Sequence, residues 1–158
     1  MSPESRRLVA GVQFAGTLLG ILYFRGSVLT GPNWVRTATG AVFVAFIGAL
    51  AIGGTLLLRA HPWGVPMSAA LQAIQIPAWA THSFTYMLHG PFALGLGVAS
   101  NWDISFEADL STHLYIAVGK TPEVASFSLN LFAVALLYLL LRSKTPKKLP
   151  TVGGVVVR

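Results

Sequence analysis

Glu107 and Asp109 stand two residues apart in the stretch Ile104 to Val118, and His113 follows four residues after Asp109. On a strand, residues two and four apart share one face. Paired carboxylates on one face can exchange protons with a substrate, and a carboxylate together with a histidine can ligate a metal. The spacing limits both. On a single strand the Cα atoms of Asp109 and His113 would be about 13 Å apart, too far for one metal without a ligand from elsewhere. The remaining histidines are His61, His82 and His89. A site built from His82, His89, His113 and an acid is conceivable, but no ligand spacing in the chain matches a known pattern. Acids and histidines on a wet sheet face account for the same residues. The sequence therefore assigns no catalytic, cofactor-binding or metal-ligating residue, and neither a cofactor nor an enzyme activity is expected. The groups to watch, should the chain bind or transform something, are Glu107, Asp109, His113 and His89.

Composition sets the surroundings in which those groups must work. The chain has 158 residues, of which 54% are hydrophobic and only 10% charged, against about 25% charged in an average soluble domain. Its mean hydropathy is +0.66. These values point to a membrane protein of one compact unit. There is no cysteine, which excludes disulfides, thiolate chemistry and Cys-ligated zinc or iron–sulfur clusters. The net charge is +6. The bases flank apolar runs, as in membrane proteins, so no nucleic-acid partner is expected.

Three uncharged runs read as membrane crossings. Residues 8–24 follow Ser-Arg-Arg and resemble a signal sequence, but the run is long for one and lacks a clear small-x-small cleavage site, so it is expected to be retained as a short helix. Residues 37–58 lie between Arg36 and Arg59 and form the clearest span. The loop before it carries Gly31-Pro32-Asn33 turn chemistry and Trp34, suited to an interface. Residues 124–141 form the last span, ending at Arg142. Between Ala60 and Trp102 there is no Asp, Glu, Lys or Arg. Within that region residues 65–80 start with a proline suited to a first turn and end at Pro77, and they read as a fourth crossing or an interfacial amphipathic helix.

The period then changes to two. From Ile104 to Val118 every even residue except Thr112 is apolar, and Phe92, Leu94, Leu96, Val98 and Phe84, Tyr86, Leu88 keep the same parity. This alternation marks strands with one buried face. Opposed residues in a hairpin face the same side, so even must oppose even and each loop must hold an odd number of residues. Three-residue loops at 89–91 and 100–102 satisfy both turns. They predict the pairs Leu88–Phe92, Val98–Ile104, Leu96–Phe106, Leu94–Ala108 and Phe92–Leu110. A strand running from 103 to 119 exceeds the usual length, which predicts a bend near Ser111-Thr112.

The expected fold is thus an integral membrane, mostly α protein. It has three to four transmembrane or interfacial helices and a small three-stranded antiparallel β-meander outside the bilayer, because an open sheet edge cannot face lipid. The units are an N-terminal segment (1–7), a transmembrane helical hairpin (8–59), a fourth crossing or interfacial helix (60–81), the meander (82–123), the last transmembrane helix (124–141) and a basic tail (142–158). Basic residues set the orientation. Three crossings place seven bases inside and four outside, and four crossings place eight inside and three outside, slightly favouring four. Both put residues 82–123 on the non-cytoplasmic side and the C-terminus in the cytoplasm, as in a bacterial inner membrane. The tail, with Arg142, Lys144, Lys147 and Lys148, is suited to an anionic leaflet.

No acid or base lies inside a span, which argues against transport or redox pumping by this chain alone. Within the three clearest spans there is no histidine for haem or chlorophyll. Gln13 and Asn130 are the notable polar residues there, each suited to bonding a neighbouring helix. Gly16-x-x-x-Gly20 and the stripe Ala41, Ala45, Ala49, Gly53 allow close helix approach, either within the chain or onto another protein. Gly95 and Gly97, flanked by Ala93 and Ala99, give one strand a bare face open to a helix or ligand. Two functions fit. The first is a non-enzymatic accessory or scaffold subunit packing with other integral membrane subunits in a larger complex, for example respiratory or photosynthetic. The second is a small membrane enzyme or binder acting on lipid, quinone or metal at the outer surface. A free-standing transporter fits least well.

Overall fold

The computed structural model describes residues 2–23, 33–118 and 124–142. Residues 24–32, Lys120, Glu123 and the basic segment beyond Arg142 lie outside the described residues.

Helix α1 spans Pro3–Tyr23. Ser2 caps it by accepting the Ser5 amide at 3.1 Å, with Pro3 and Glu4 in the first turn, where a missing N–H and a negative charge both suit the helix start. Helix α2 spans Asn33–Leu58. It ends in a left-handed residue, Ala60 (φ 54°), with the His61 amide reaching back to the Leu56 carbonyl at 2.9 Å. Helix α3 spans Gly64–Ala73. A side chain at Gly64 would lie 2.8 Å from the Leu56 backbone, so only glycine lets the chain turn this tightly.

Six strands follow: β1 (Pro77–Ala80), β2 (Phe84–His89), β3 (Ala93–Ala99), β4 (Ile104–Asp109), β5 (His113–Val118) and β6 (Ser126–Asn130). Helix α4, Leu131–Arg142, continues directly from β6. The strands form one antiparallel sheet in the order β4-β3-β6-β1-β2-β5.

This architecture corrects the expected one. Among the described residues, four helices and a six-stranded antiparallel sheet replace a mostly α integral membrane fold of three to four transmembrane or interfacial helices with a three-stranded meander. Among the described residues, α2 is the one helix long and apolar enough to cross a membrane, over Thr37–Leu58. The reasons are lengths. A crossing needs about 20 apolar residues. α1 has 21 residues but begins with Glu4, Arg6 and Arg7, so its apolar part is shorter. The region 65–80 yields a 10-residue helix, about 15 Å long, and then a strand. The run 124–141 divides into β6 and a 12-residue helix of about 18 Å.

The register of the β3–β4 hairpin is the one that parity predicts: Val98 opposes Ile104, Leu96 opposes Phe106 and Leu94 opposes Ala108. Phe92 and Leu110 lie one step past the last pair, Ala93 and Asp109. The expected pair Leu88–Phe92 does not form. Leu88 opposes Leu114 instead, and β6 and β1 stand between β3 and β2. The predicted break near Ser111-Thr112 is present, since residues 110–112 belong to no strand.

That break decides the shape of the sheet. In a flat sheet of this order, β4 and β5 would be five strand spacings apart, about 24 Å. From Asp109 to His113 the chain can reach at most about 15 Å. The sheet must therefore curl until its two edges approach. Side chains of one parity turn inward and those of the other turn outward.

The outward side of β2 and β5 packs on α2. Leu88 and Leu114 join Phe43, Phe46, Ile47, Leu50 and Leu71 in one core, with Tyr86 and Ile116 against it. A second core holds Val9, Ala10, Leu57, Leu136 and Leu140, joining α1, α2 and α4. The Gly16-x-x-x-Gly20 pair serves these contacts within the chain. A Cβ at Gly16 would lie 2.9 Å from the Pro91 ring and 3.1 Å from Leu50, and one at Gly20 would lie 2.8 Å from Ile47 and 3.3 Å from Thr112. α1 thus receives the β2–β3 turn and the 110–112 corner in two glycine notches.

Replacing Gly16 by Val should lower unfolding stability by about 1–3 kcal/mol, since the Pro91 ring cannot yield; the denaturation midpoint of the purified chain measures it. Tyr86 donates to the Ile74 carbonyl at 2.8 Å, and burial raises the pKa of its phenol. The unfolded chain ionises first as pH rises, so stability should fall above about pH 10. In Tyr86→Phe that loss should be smaller, as read from denaturation midpoints between pH 8 and 11.

Candidate functional site

Inward-facing residues of the curled sheet are mostly small: Ala93, Gly95, Gly97 and Ala99 on β3, Ser126 and Ser128 on β6. A tightly curled sheet has little room inside, and small side chains suit it. The two β3 glycines differ in what they leave open. A Cβ at Gly97 would meet Ser105 Oγ at 2.6 Å and Ser128 Cβ at 3.3 Å, so the interior is filled there. A Cβ at Gly95 would meet only Glu107, at 3.8 Å. The interior opens at that level into a cavity of about 340 Å³, lined chiefly by Met87, His89, Gly95, Glu107, Asp109 and Ser128.

Three of the four groups that the sequence singles out for chemistry meet in this cavity. β2 and β4 run in the same direction, so His89 and Asp109, the last residue of each, come to one end of the sheet. Curling brings His89 Nδ1 within 3.9 Å of Asp109 Oδ2, although four strand spacings separate their strands. This distance is long for a direct hydrogen bond, and it becomes an ion pair when the imidazole is protonated. Ser111 Oγ donates to the same carboxylate oxygen at 2.7 Å, fixing Asp109. His89 is 8% exposed, whereas Glu107, opposite Gly95 on the sheet edge, is open to solvent. His113 opposes His89 in the β2–β5 ladder, and its side chain lies outside the described set. Asp109 and His113 thus belong to two strands, not one.

The other polar candidates are elsewhere. His82 lies in the exposed β1–β2 turn, at the far end of β2 from His89. His61 is exposed after α2 and accepts the Trp63 amide at 3.3 Å. The conceivable ligand set of His82, His89 and His113 is not assembled. Among the described residues no three metal-ligating side chains converge. Gln13 is fully buried and accepts a hydrogen bond from Ser68 Oγ of α3 at 3.3 Å, with Gly53 of α2 beside both. Asn130 is the last residue of β6, not part of a spanning helix. Its Oδ1 caps α4, accepting the amides of Phe132 (3.1 Å) and Ala133 (3.3 Å), and also accepts the Leu94 amide of β3 at 3.3 Å.

Chemically, the cavity offers carboxylates, an imidazole and a hydroxyl to hydrogen-bond donors. An apolar cavity of about 440 Å³ lies behind it, between α4 and the outward side of β3–β4, lined by Phe92, Leu94, Leu110, Leu131, Phe132 and Ala135. Compared with known proteins, the chain matches no family model, no curated sequence and no solved structure.

Because one amide oxygen ties β3 to α4, Asn130→Ala should cost about 1–3 kcal/mol, more than an ordinary cap. The denaturation midpoint measures it, and Asn130→Asp, which keeps the acceptor, should recover most of the loss.

Proposed function

We propose that the protein is a non-enzymatic accessory or scaffold subunit of a larger membrane assembly, docking on another integral membrane subunit through the outward face of its sheet. One observation carries this reading. The outward face is covered by α2 over β2 and β5 and by α4 at the Leu94 end of β3, and it continues uncovered over most of β4, the rest of β3, β6 and β1. Ile104 is 75% exposed, Phe106 62%, Phe127 49% and Leu96 42%. A contiguous apolar surface of this kind marks an interaction site.

Its neighbourhood selects the occupant. β4 is an edge strand, bonded on one side to β3 alone among the described residues. Its outer backbone groups need hydrogen-bonding partners, so bare hydrocarbon is a poor cover for this face. Water is poor for its side chains. A protein surface satisfies both. The β3–β4 turn adds an anchor: Trp102 is 86% exposed and sits at φ 67°, a left-handed conformation that costs a residue with a side chain about 1–2 kcal/mol. Its turn is fixed by the Trp102 amide bonding Ala99 at 2.9 Å and the Ala99 amide bonding Asp103 at 2.9 Å. Trp102 lines an apolar groove of about 430 Å³ with Trp79, Val98 and Phe127. A strained backbone that holds an aromatic ring outward suits recognition.

In this reading the chain is held at a membrane of the bacterial inner type, with the sheet on the non-cytoplasmic side. Purification from native membranes in mild detergent should recover a stoichiometric partner. Phe106→Lys should release it while leaving the sheet intact. Trp102→Gly should weaken the complex and yet stabilise the isolated chain by up to about 1 kcal/mol. Recovery of the unaltered chain as a monomer from native membranes overturns the proposal.

A further inference from the structure

We infer that the open edge of β4 is completed by a strand of another protein, one that carries lysine or arginine at alternate positions with apolar residues between them. The inference rests on the docking reading above and names the chemistry of the segment that docks.

The backbone of β4 sets the first requirement. The Ala99 amide bonds the Asp103 carbonyl at the start of the β3–β4 ladder, and bond-exchanging pairs alternate along an antiparallel ladder. Ser105, Glu107 and Asp109 are therefore the β4 residues that bond β3. The β3–β6 ladder agrees. The Ser100 amide bonds the Ala125 carbonyl, so the even residues of β3 turn to β6 and the odd ones to β4. The amides and carbonyls of Ile104, Phe106 and Ala108 are left pointing away from β3, along the open edge. Among the described residues β4 shares no ladder with β5, and it is exposed from Ile104 to Ala108. Edge strands that stay single are often blunted by lysine, proline or a bulge. β4 reads Ile-Ser-Phe-Glu-Ala-Asp in unbroken register and has none of these. Such an edge accepts an extended segment as a further strand.

The side chains set the second requirement. On the outward side an added strand would meet Ile104, Phe106 and Ala108, so its residues there must be apolar. On the inward side it would meet Ser105 and Glu107, with Asp103 and Asp109 at the ends. In an antiparallel addition Ile104, Phe106 and Ala108 exchange the bonds. Glu107 then falls between bonded pairs, where facing Cα atoms are closest, about 4.5 Å apart. An opposite charge facing it stabilises the pair and a like charge destabilises it. No lysine or arginine lines the cavity beside Glu107 and Asp109. A second copy of this chain is the wrong occupant. Pairing β4 with itself, apolar side to apolar side, sets acid against acid, as Glu107 on Glu107 or Asp103 on Asp109. The inward acids thus oppose pairing between copies and favour a basic strand.

The test uses the full chain in detergent and the acetylated, amidated peptide Lys-Val-Lys-Val-Lys-Val. Calorimetric titration should show saturable binding, and amide hydrogen exchange at Phe106 and Ala108 should slow when the peptide is bound. The peptide Glu-Val-Glu-Val-Glu-Val should bind about tenfold more weakly or worse. The lysine peptide N-methylated at its valines, which lacks the N–H groups facing β4, should lose binding. Glu107→Lys should weaken the lysine peptide severalfold and strengthen the glutamate peptide. Ala108→Pro removes an outward N–H but no bond to β3, so the sheet stands while affinity falls severalfold. Absence of saturable binding of the lysine peptide by the folded chain overturns the inference. So does equal binding of the glutamate or N-methylated peptide, or unchanged affinity in folded Glu107→Lys or Ala108→Pro. The docking reading is judged separately, since a stoichiometric partner recovered from native membranes upholds it even where the peptide fails to bind.

Discussion

Three residues, Leu110 to Thr112, have to join the two outermost strands of a six-stranded sheet. A link that short cannot cross the width of a flat sheet, so the sheet wraps until its edges approach. Inward side chains must then be small, and Ala93, Gly95, Gly97 and Ala99 supply that on β3. Outward side chains can be large, and they are. The corner itself is secured from outside. Thr112 is fully buried and faces the notch at Gly20, while Pro91 fills the notch at Gly16. The glycine pair on α1 therefore holds shut the end of the sheet where His89 and Asp109 meet.

The two sides of the curled sheet have opposite chemistry for the same reason. Sequence alternation places acids, serines and histidines on one side of the sheet and the leucines, isoleucines and most aromatics on the other. Curling converts that alternation into a polar interior and an apolar exterior, the reverse of a soluble sandwich. α2 covers the exterior of β2 and β5 and α4 reaches the Leu94 end of β3, but most of β4 stays bare. An apolar exterior beside an open strand edge is stable only against another surface that supplies both contact and hydrogen bonds. The polar interior lies on the other side of the sheet from that bare exterior.

Much of the local structure is legible in the chain. Parity gives the β3–β4 register, because the side-chain period of a strand is strict, and the usual length limit of a strand gives the break at 110–112. The helical character of residues 8–23 and 37–58 follows from their uncharged length. What is hidden is non-local. Ser126–Asn130 alternates for only five residues and then enters a helix without a turn residue, so it reads as part of one apolar run. Pro77–Ala80 is too short to show a period. Strand order cannot be read from any one segment, and neither can the approach of His89 to Asp109, which exists only once the sheet has curled. Asn130 reads as a polar residue inside a span, whereas its spacing to Phe132 and Ala133 fits a helix cap.

β6 occupies a central place. It lies between β3 and β1, and among the described residues no other strand bridges the two halves, β4-β3 on one side and β1-β2-β5 on the other. During synthesis the first five strands can form only a hairpin and a separate three-stranded ribbon. Both have exposed edges until residue 130 leaves the ribosome. The chain therefore emerges with its sheet and its edges unfinished, and the last strand and helix complete it. A cell making this protein needs to shield those open ribbons from each other and from neighbouring copies until translation ends.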